Sequence, residues 1–227
     1  MIVIPEKVAY IKVPKAASTT IARLFWDRHN VVEKDILPTE VAMSIPFLSL
    51  DQVGERLPIL NGNWFYARAL GAYGWHASYQ DMVHVFREQM DDFHWVASVR
   101  HPVARLFSVF SFQVVQERMD AELTKSDFER FCRWFFAGAP RMSQQQNVHT
   151  WPQSRWLPPK GVQCSIIRQE SLAADLARHA GRVESFRGVN LGDANRSFSG
   201  SWNDFVSPAL QTQIEDHYSE DMERLGY

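Results

Sequence analysis

The chain has only two cysteines in 227 residues, Cys132 and Cys164, and neither lies in a CxxC pair. A disulfide framework is therefore not expected, and no zinc-ligand spacing is visible. Two buried free thiols are expected instead, and such a chain suits a reducing compartment, the cytoplasm. No stretch approaches the roughly 18 apolar residues that span a membrane. The opening MIVIPEKVAYIKVPK lacks the apolar core and small-residue cleavage pattern of a signal peptide. Neither sign of charge dominates: 24 Lys and Arg stand against 26 Asp and Glu, a formal net charge of -2. That excludes a global basic field for nucleic acid or an anionic membrane, so any anion site has to be local. Repeats and low-complexity tracts are absent. So is the GxxxxGK[ST] loop, and with it the main sequence ground for magnesium-dependent nucleotide hydrolysis.

What the chain does have is material for a core. Hydrophobic residues make up 45% of it and aromatics 13%, including eight Trp. One α/β domain over residues 1–227 is the simplest organisation. Val8–Val13 is short, apolar and partly β-branched and predicts a buried strand, closed by Pro14; Trp95–Val99 and Cys164–Arg168 predict two more. Helices are predicted over Ile21–Arg28, from Val103 to about Met119, and over Leu172–His179 with Gly181 at its C-terminal end. Capping boxes are read at Ser49–Gln52, with Pro58 closing the short helix, and at Ser126–Glu129, whose helix ends at Gly138 and Pro140. Pro208 opens a last helix with Leu210, Ile214, Tyr218, Met222 and Leu225 on one face. Residues 138–161 lack periodicity and read as a long functional or packing loop. Strands alternating with helices predict a P-loop-like, mainly parallel central sheet flanked by helices on both faces.

Two segments carry chemistry. In Val13-Pro-Lys-Ala-Ala-Ser-Thr-Thr20 a strand runs through a turn into a helix. The N–H groups of a helix start, with its dipole, attract an anion, and Lys15, Ser18, Thr19 and Thr20 add a charge and hydroxyls. The plain alternative is a capped helix beside a surface lysine. In Val99-Arg-His-Pro-Val-Ala-Arg-Leu-Phe-Ser108 a second strand ends at Arg100 and a helix follows. Arg100 and Ser108 suit one anionic group, the guanidinium as a fork and the hydroxyl as a neutral donor. Arg105 and Ser108, three apart, share a helix face. Two strand ends carrying anion donors suggest a ligand with two separated phosphates, bound at the carboxyl ends of the strands.

Together these segments resemble the sulfotransferases that use 3'-phosphoadenosine 5'-phosphosulfate (PAPS), in particular their carbohydrate branch. Pro14-Lys-Ala-Ala-Ser-Thr-Thr20 is similar to the family's PKTGSTS-like loop, and Val99–Phe110 to its VRDPxxRxxSxY-like segment, with His101 for the usual Asp and Phe110 for the usual Tyr. Ile167-Arg-Gln-Glu-Ser-Leu172 and Tyr218–Tyr227 resemble the RxExL junction and the closing Y…D…FGY helix. The resemblance implies sulfuryl transfer from PAPS to a hydroxyl by a scheme that requires no metal, with a carbohydrate or glycoconjugate as the acceptor class and PAP as product. It implies that Lys15, Ala16, Ala17, Ser18, Thr19 and Thr20 hold the 5'-phosphosulfate, that Arg100 and Ser108 hold the 3'-phosphate, and that Arg196, in Asn195-Arg-Ser197, closes over the nucleotide.

In such a transfer the protein mainly positions groups and stabilises charge, and a sugar hydroxyl benefits from a base. Lys15 is the candidate for the leaving phosphate. His76, in Gly74-Trp-His-Ala-Ser-Tyr79, is the candidate base, matching a catalytic His in glycan 2-O-sulfating relatives; Glu88, Asp91 and Asp92 are alternatives. His101 is read as packing or capping, with His94 and His149 weaker candidates. Gln153 and Arg155 resemble residues near the acceptor cleft, and Trp64, Trp75, Trp151 and Trp156 are either sugar-stacking or core residues. No metal is expected, and a monomer or a homodimer both fit. Two other readings compete: a nucleotide- or glycan-binding module without catalysis, and a P-loop nucleotide kinase.

Overall fold

The computed structural model describes residues 1–31, 49–55, 57, 59–60, 76–117, 123–138, 148–189, 191 and 201–227, with only the backbone of 115–117. The strands are β1 (Ile2–Val3), β2 (Val8–Ile11), β3 (Ile59–Leu60), β4 (His94–Val99) and β5 (Cys164–Arg168). The α-helices include α1 (Ser18–Arg28), α2 (Leu50–Gly54), α3 (Tyr79–Phe86), α4 (Pro102–Glu117), α5 (Lys125–Phe136), α6 (Leu172–His179), α7 (Pro208–His217) and α8 (Ser219–Leu225). Contacts group the chain into two compact units, residues 1–99 with 155–192 and residues 100–154 with 193–227.

The first unit holds the sheet, in the order β3-β1-β2-β4-β5. The three strands predicted from apolar runs pair in parallel, β2 with β4 and β4 with β5. The two short strands add an antiparallel component, since β1 opposes both β2 and β3. All four residues of β2 are fully buried, as expected for a strand with neighbours on both edges and cover on both faces. On one face Val8, Tyr10, Val96 and Ile167 pack with Ile21, Ala22 and Phe25 of α1 and Leu176 of α6. Burying a Phe such as Phe25 contributes about 2–3 kcal/mol. On the other face the ring of Tyr79 in α3 lies 4.6 Å from that of Trp95. Parallel register sets the carboxyl ends of β2, β4 and β5 along one edge, with Ile11 opposite Ala97 and Val99 opposite Arg168.

A polar pair is sealed inside this layer. The Tyr10 hydroxyl lies 2.8 Å from Ser98 Oγ and donates to the Ser18 carbonyl at 3.5 Å, fastening the start of α1 to two central strands. Burial pushes the Tyr10 phenol well above its usual range. The capping box at Ser49 and Gln52 is present as predicted and opens α2.

The second unit is helical. Val103, Leu106, Phe107 and Phe110 of α4 meet Phe128 and Cys132 of α5 and Ile214 of α7. The Phe107, Phe110 and Phe128 rings lie 5.2–6.0 Å apart. Three predictions shift here. The cap of α5 is Thr124, whose hydroxyl accepts from the Asp127 N–H, so Ser126, the expected cap, is already the second residue of the helix. The expected single last helix is two, α7 and α8, divided at Tyr218 (φ -104, ψ 30). The apolar face passes through the break because the Tyr218 N–H still donates to the Ile214 carbonyl. In the first unit, α6 ends on Ala180 in right-handed conformation, so Gly181 supplies no left-handed cap. Gly138 does supply one after α5, at φ 68. Cys132 is a buried thiol, pushed up to about 12 by burial, whereas Cys164 is only half-buried.

At the amino ends of β4 and β5, His94 Nε2 lies 2.8 Å from Ser165 Oγ, which lies 3.0 Å from His179 Nδ1. Burial is the main cause lowering both imidazoles below 6.5; Arg182 and His179 add to it at His94. At His179 the Asp175 carboxylate partly offsets it, and Arg178 and Arg182 reinforce it. Histidines of the unfolded chain, titrating near 6.5, then take up protons first as pH falls. Stability from this network is full above about pH 6.5 and declines below it. Melting temperature measured against pH should fall on acidification below that point, and the fall should be shallower in a His94→Gln/His179→Gln variant.

Candidate functional site

Lys15–Thr20 leaves the carboxyl end of β2 and becomes α1. Two residues without the freedom of glycine adopt left-handed backbone here, Lys15 at φ 63 and Ala17 at φ 57. Each such position costs about 1–2 kcal/mol. A turn that alternates in this way directs successive N–H groups toward one point, a cradle for an anion. Ala17 is the cap residue of α1, so no side chain caps the helix start. The first N–H groups of a helix have no partner within it, and the dipole adds positive potential there. Ala16 and Ser18 are buried, Lys15, Ala17 and Thr20 half-buried, and Thr19 exposed. The preceding lysine does something different. Lys12 is buried, with its Nζ 5.6 Å above the Trp26 ring centroid.

His76 stands at the same edge of the sheet. Its Nδ1 lies 2.5 Å from the carbonyl oxygen of Lys12, three residues before Lys15. A carbonyl only accepts, so Nδ1 carries the proton and Nε2 is the basic nitrogen of this imidazole. Trp156 packs edge-on against the ring at 6.0 Å between centroids, and its carbonyl accepts from the Tyr79 N–H. Ser78 and Asp81 form a capping box that fixes the start of α3 just beyond His76. Trp156 is thus a core residue, 1% exposed, and not a sugar-stacking surface. Glu88, Asp91 and Asp92 are exposed and precede the amino end of β4. They lie at the opposite end of the parallel strands from Lys15, too far to serve as the base there. His94 fails on the same ground.

In the second unit, Arg100 directly follows β4. The Gln153 amide holds its backbone at two points: Oε1 accepts from the Arg100 N–H at 2.9 Å, and Nε2 donates to the Arg100 carbonyl at 2.7 Å. His101 Nδ1 accepts from the Val103 N–H at 3.3 Å, so the imidazole caps the start of α4. It stacks on Trp202 and meets Tyr227 edge-on, in keeping with a packing and capping role. Ser108 lies on α4 and is buried.

The segment 149–154 supporting Arg100 has no ladder of its own, and side chains satisfy its backbone instead. Arg105 donates to the carbonyls of His149 and Trp151, Tyr218 Oη to that of Thr150, and Arg224 to that of Ser154. The Asp221 carboxylate accepts from the N–H groups of Gln153 and Ser154, both at 2.7 Å. Burial, the largest cause, pushes the Tyr218 phenol up to about 12.

Several expectations change with this geometry. Gln153 is fully buried and occupied by Arg100, so it faces inward and is not a substrate contact. Arg105 shares a face of α4 with Ser108, but it is 1% exposed and its guanidinium is committed to the carbonyls of the 149–154 segment. Arg155 is exposed. Arg196, Asn195, Ser197, Trp64 and Trp75 lie outside the described residues. Asp221 falls on the Asp of the Y…D…FGY likeness, but its grip on the 149–154 segment is not legible there, because it stands among Glu220, Glu223 and other charges of an acidic helix. Its three-residue spacing from Tyr218 is the one available signal.

Replacing Arg105 by Ala should destabilise the protein by about 2–3 kcal/mol, since two half-buried carbonyls lose their donor. Arg105→Lys should recover little, because one ammonium cannot reproduce the two-armed fork. Urea unfolding of both variants checks this. Ala17→Gly should gain about 0.5–1 kcal/mol by relieving the left-handed strain, and Ala17→Val should lose stability.

Comparison with known proteins found no match among curated proteins or solved structures. A family model does match, that of the sulfotransferase family, over residues 2–227. The match spans both units and both anion-donor segments, and it displaces the kinase and non-catalytic readings. The α/β sheet with helices around it fits the same assignment. The chain belongs to the PAPS-dependent sulfotransferase family and is an enzyme that transfers a sulfuryl group to a hydroxyl.

Proposed function

We propose that the acceptor hydroxyl belongs to a carbohydrate or glycoconjugate and that His76 is the base that activates it. The observation carrying this reading is the His76–Lys12 contact: it fixes the tautomer with Nε2 basic and anchors the ring to the residue that leads into the Lys15 loop. The carbohydrate class rests on the likeness of Gly74–Tyr79 to glycan 2-O-sulfating relatives. It also rests on the exposed guanidinium of Arg155, suited to a sugar hydroxyl or carboxylate.

PAPS, when bound, supplies the electrophilic sulfuryl group and a phosphate leaving group. The residues present fit the phosphosulfate end, since the uncapped start of α1 and the left-handed pair Lys15 and Ala17 form an anion cradle. In this reading the N–H groups of Ala16 to Thr20 and the Ser18 and Thr19 hydroxyls hold the phosphosulfate oxygens. Lys15 balances the charge that grows on the leaving phosphate. Arg100 and Ser108 hold the 3'-phosphate. His76 Nε2 takes the hydroxyl proton while the residues of the loop keep the reacting groups in line.

Calorimetry with PAP, without added metal, tests the nucleotide half. Wild-type protein should bind PAP well and ATP much more weakly, Lys15→Ala should lose about tenfold or more, and Arg100→Ala should lose about 2 kcal/mol. Equal affinity for PAP in wild type and Arg100→Ala would reject the 3'-phosphate assignment. Turnover on a panel of acidic and neutral oligosaccharides tests the other half. His76→Ala should lower the rate by about 10²–10⁴-fold with PAP affinity retained, and near-wild-type turnover would remove His76 as the base.

A further inference from the structure

Past Val99 the pairing of β4 with β5 ends, yet the next residue carries the guanidinium on which the 3'-phosphate assignment rests. Gln153 takes over there as a surrogate strand. Its amide presents one acceptor and one donor, matched to the N–H and C=O of Arg100. Neither Glu nor a hydrocarbon of that length offers this pair. The side chain is fully buried, so it has no second role toward solvent.

The support continues one step further. The two oxygens of the Asp221 carboxylate accept from the consecutive N–H groups of Gln153 and Ser154. Asp221 is fully buried, and Arg224, on the same helix α8, donates to the Ser154 carbonyl at 3.0 Å. A buried carboxylate held by two amide donors sets the position of the turn it grips within a narrow range. A fork that binds phosphate through two parallel hydrogen bonds needs its supporting backbone placed within about 0.5 Å.

We infer that Gln153 and Asp221 are positioning residues for the 3'-phosphate grip, acting on the nucleotide only through the backbone of Arg100. The inference rests on the reading of Arg100 as the 3'-phosphate ligand. It assigns the closing helix α8 a task in cofactor selection: discrimination of a 3'-phosphorylated nucleotide from one lacking that group.

The test compares PAP with 5'-AMP, which lacks the 3'-phosphate, by calorimetry on the full chain. Gln153→Ala should weaken PAP about five- to tenfold and leave 5'-AMP within about twofold. The same substitution in an Arg100→Ala background should add little further loss, because the clamp then has nothing to position. Asp221→Asn, nearly isosteric, keeps one acceptor but sets its NH2 against the other backbone N–H, so it should give a loss of the same selective kind, and its retained 5'-AMP affinity reports an intact fold where Gln153→Ala proves unstable. Equal losses for PAP and 5'-AMP in either variant would overturn the inference, leaving a general structural role. So would unchanged PAP affinity in Gln153→Ala while Arg100→Ala weakens it. If Arg100→Ala itself fails to separate PAP from 5'-AMP, the 3'-phosphate assignment falls, and the positioning inference falls with it for that distinct reason.

Discussion

Backbone groups removed from water must find partners, and this requirement organises the second unit more than any single contact. Residues 149–154 form neither a long helix nor a strand, so their carbonyls and N–H groups are met by Arg105, Tyr218, Asp221 and Arg224. Arg105 projects from α4, Tyr218 stands at the break between α7 and α8, and Asp221 and Arg224 project from α8. Helix α4 and the junction at Tyr218 are therefore fixed twice, by packed rings and by polar attachment to the 149–154 segment. Arg100 takes its placement from the same attachment, through Gln153.

The first unit solves the equivalent problem by pairing. Three parallel strands align their carboxyl ends, and short antiparallel additions extend the sheet from β2. At the aligned edge the polar features are local: a strained turn, an uncapped helix start, an imidazole held by a carbonyl. A chain with balanced charge can thus attract an anion, because the donors are backbone groups that do not enter a count of lysines and arginines.

How far this was legible in the residues follows from which forces are local. Val8–Ile11, His94–Val99 and Cys164–Arg168 announce themselves as apolar, β-branched runs, and the turns at Pro14 and Pro102 mark where the strands give way to helices. Ile2–Val3 and Ile59–Leu60 are too short for any period to register. Thr124 and Ser126 offer the same capping chemistry two residues apart, so the sequence by itself does not choose between them. The break at Tyr218 is hidden by an apolar face that continues through it. For the site, the loop at Lys15 and the residue Arg100 are local motifs and were readable. The inward turn of Gln153 and Arg105 is not, since the direction of a side chain is decided by partners some 44 to 53 residues away in sequence. Asp221 shows the same limit from the other side: the Y…D…FGY likeness marks the residue, but not the backbone N–H groups of Gln153 and Ser154 that it holds.

The left-handed pair at Lys15 and Ala17 has a further consequence. Glycines at these positions would let the free loop wander and would oblige it to order each time an anion arrives. With alanine and lysine, the conformational cost is met during folding, and the loop is already in one shape when ligand comes. Association with such a cradle loses little chain entropy, so its heat signature should carry less of the ordering penalty that accompanies flexible phosphate loops. A rigid receptor of this kind recognises an anion by shape as much as by charge.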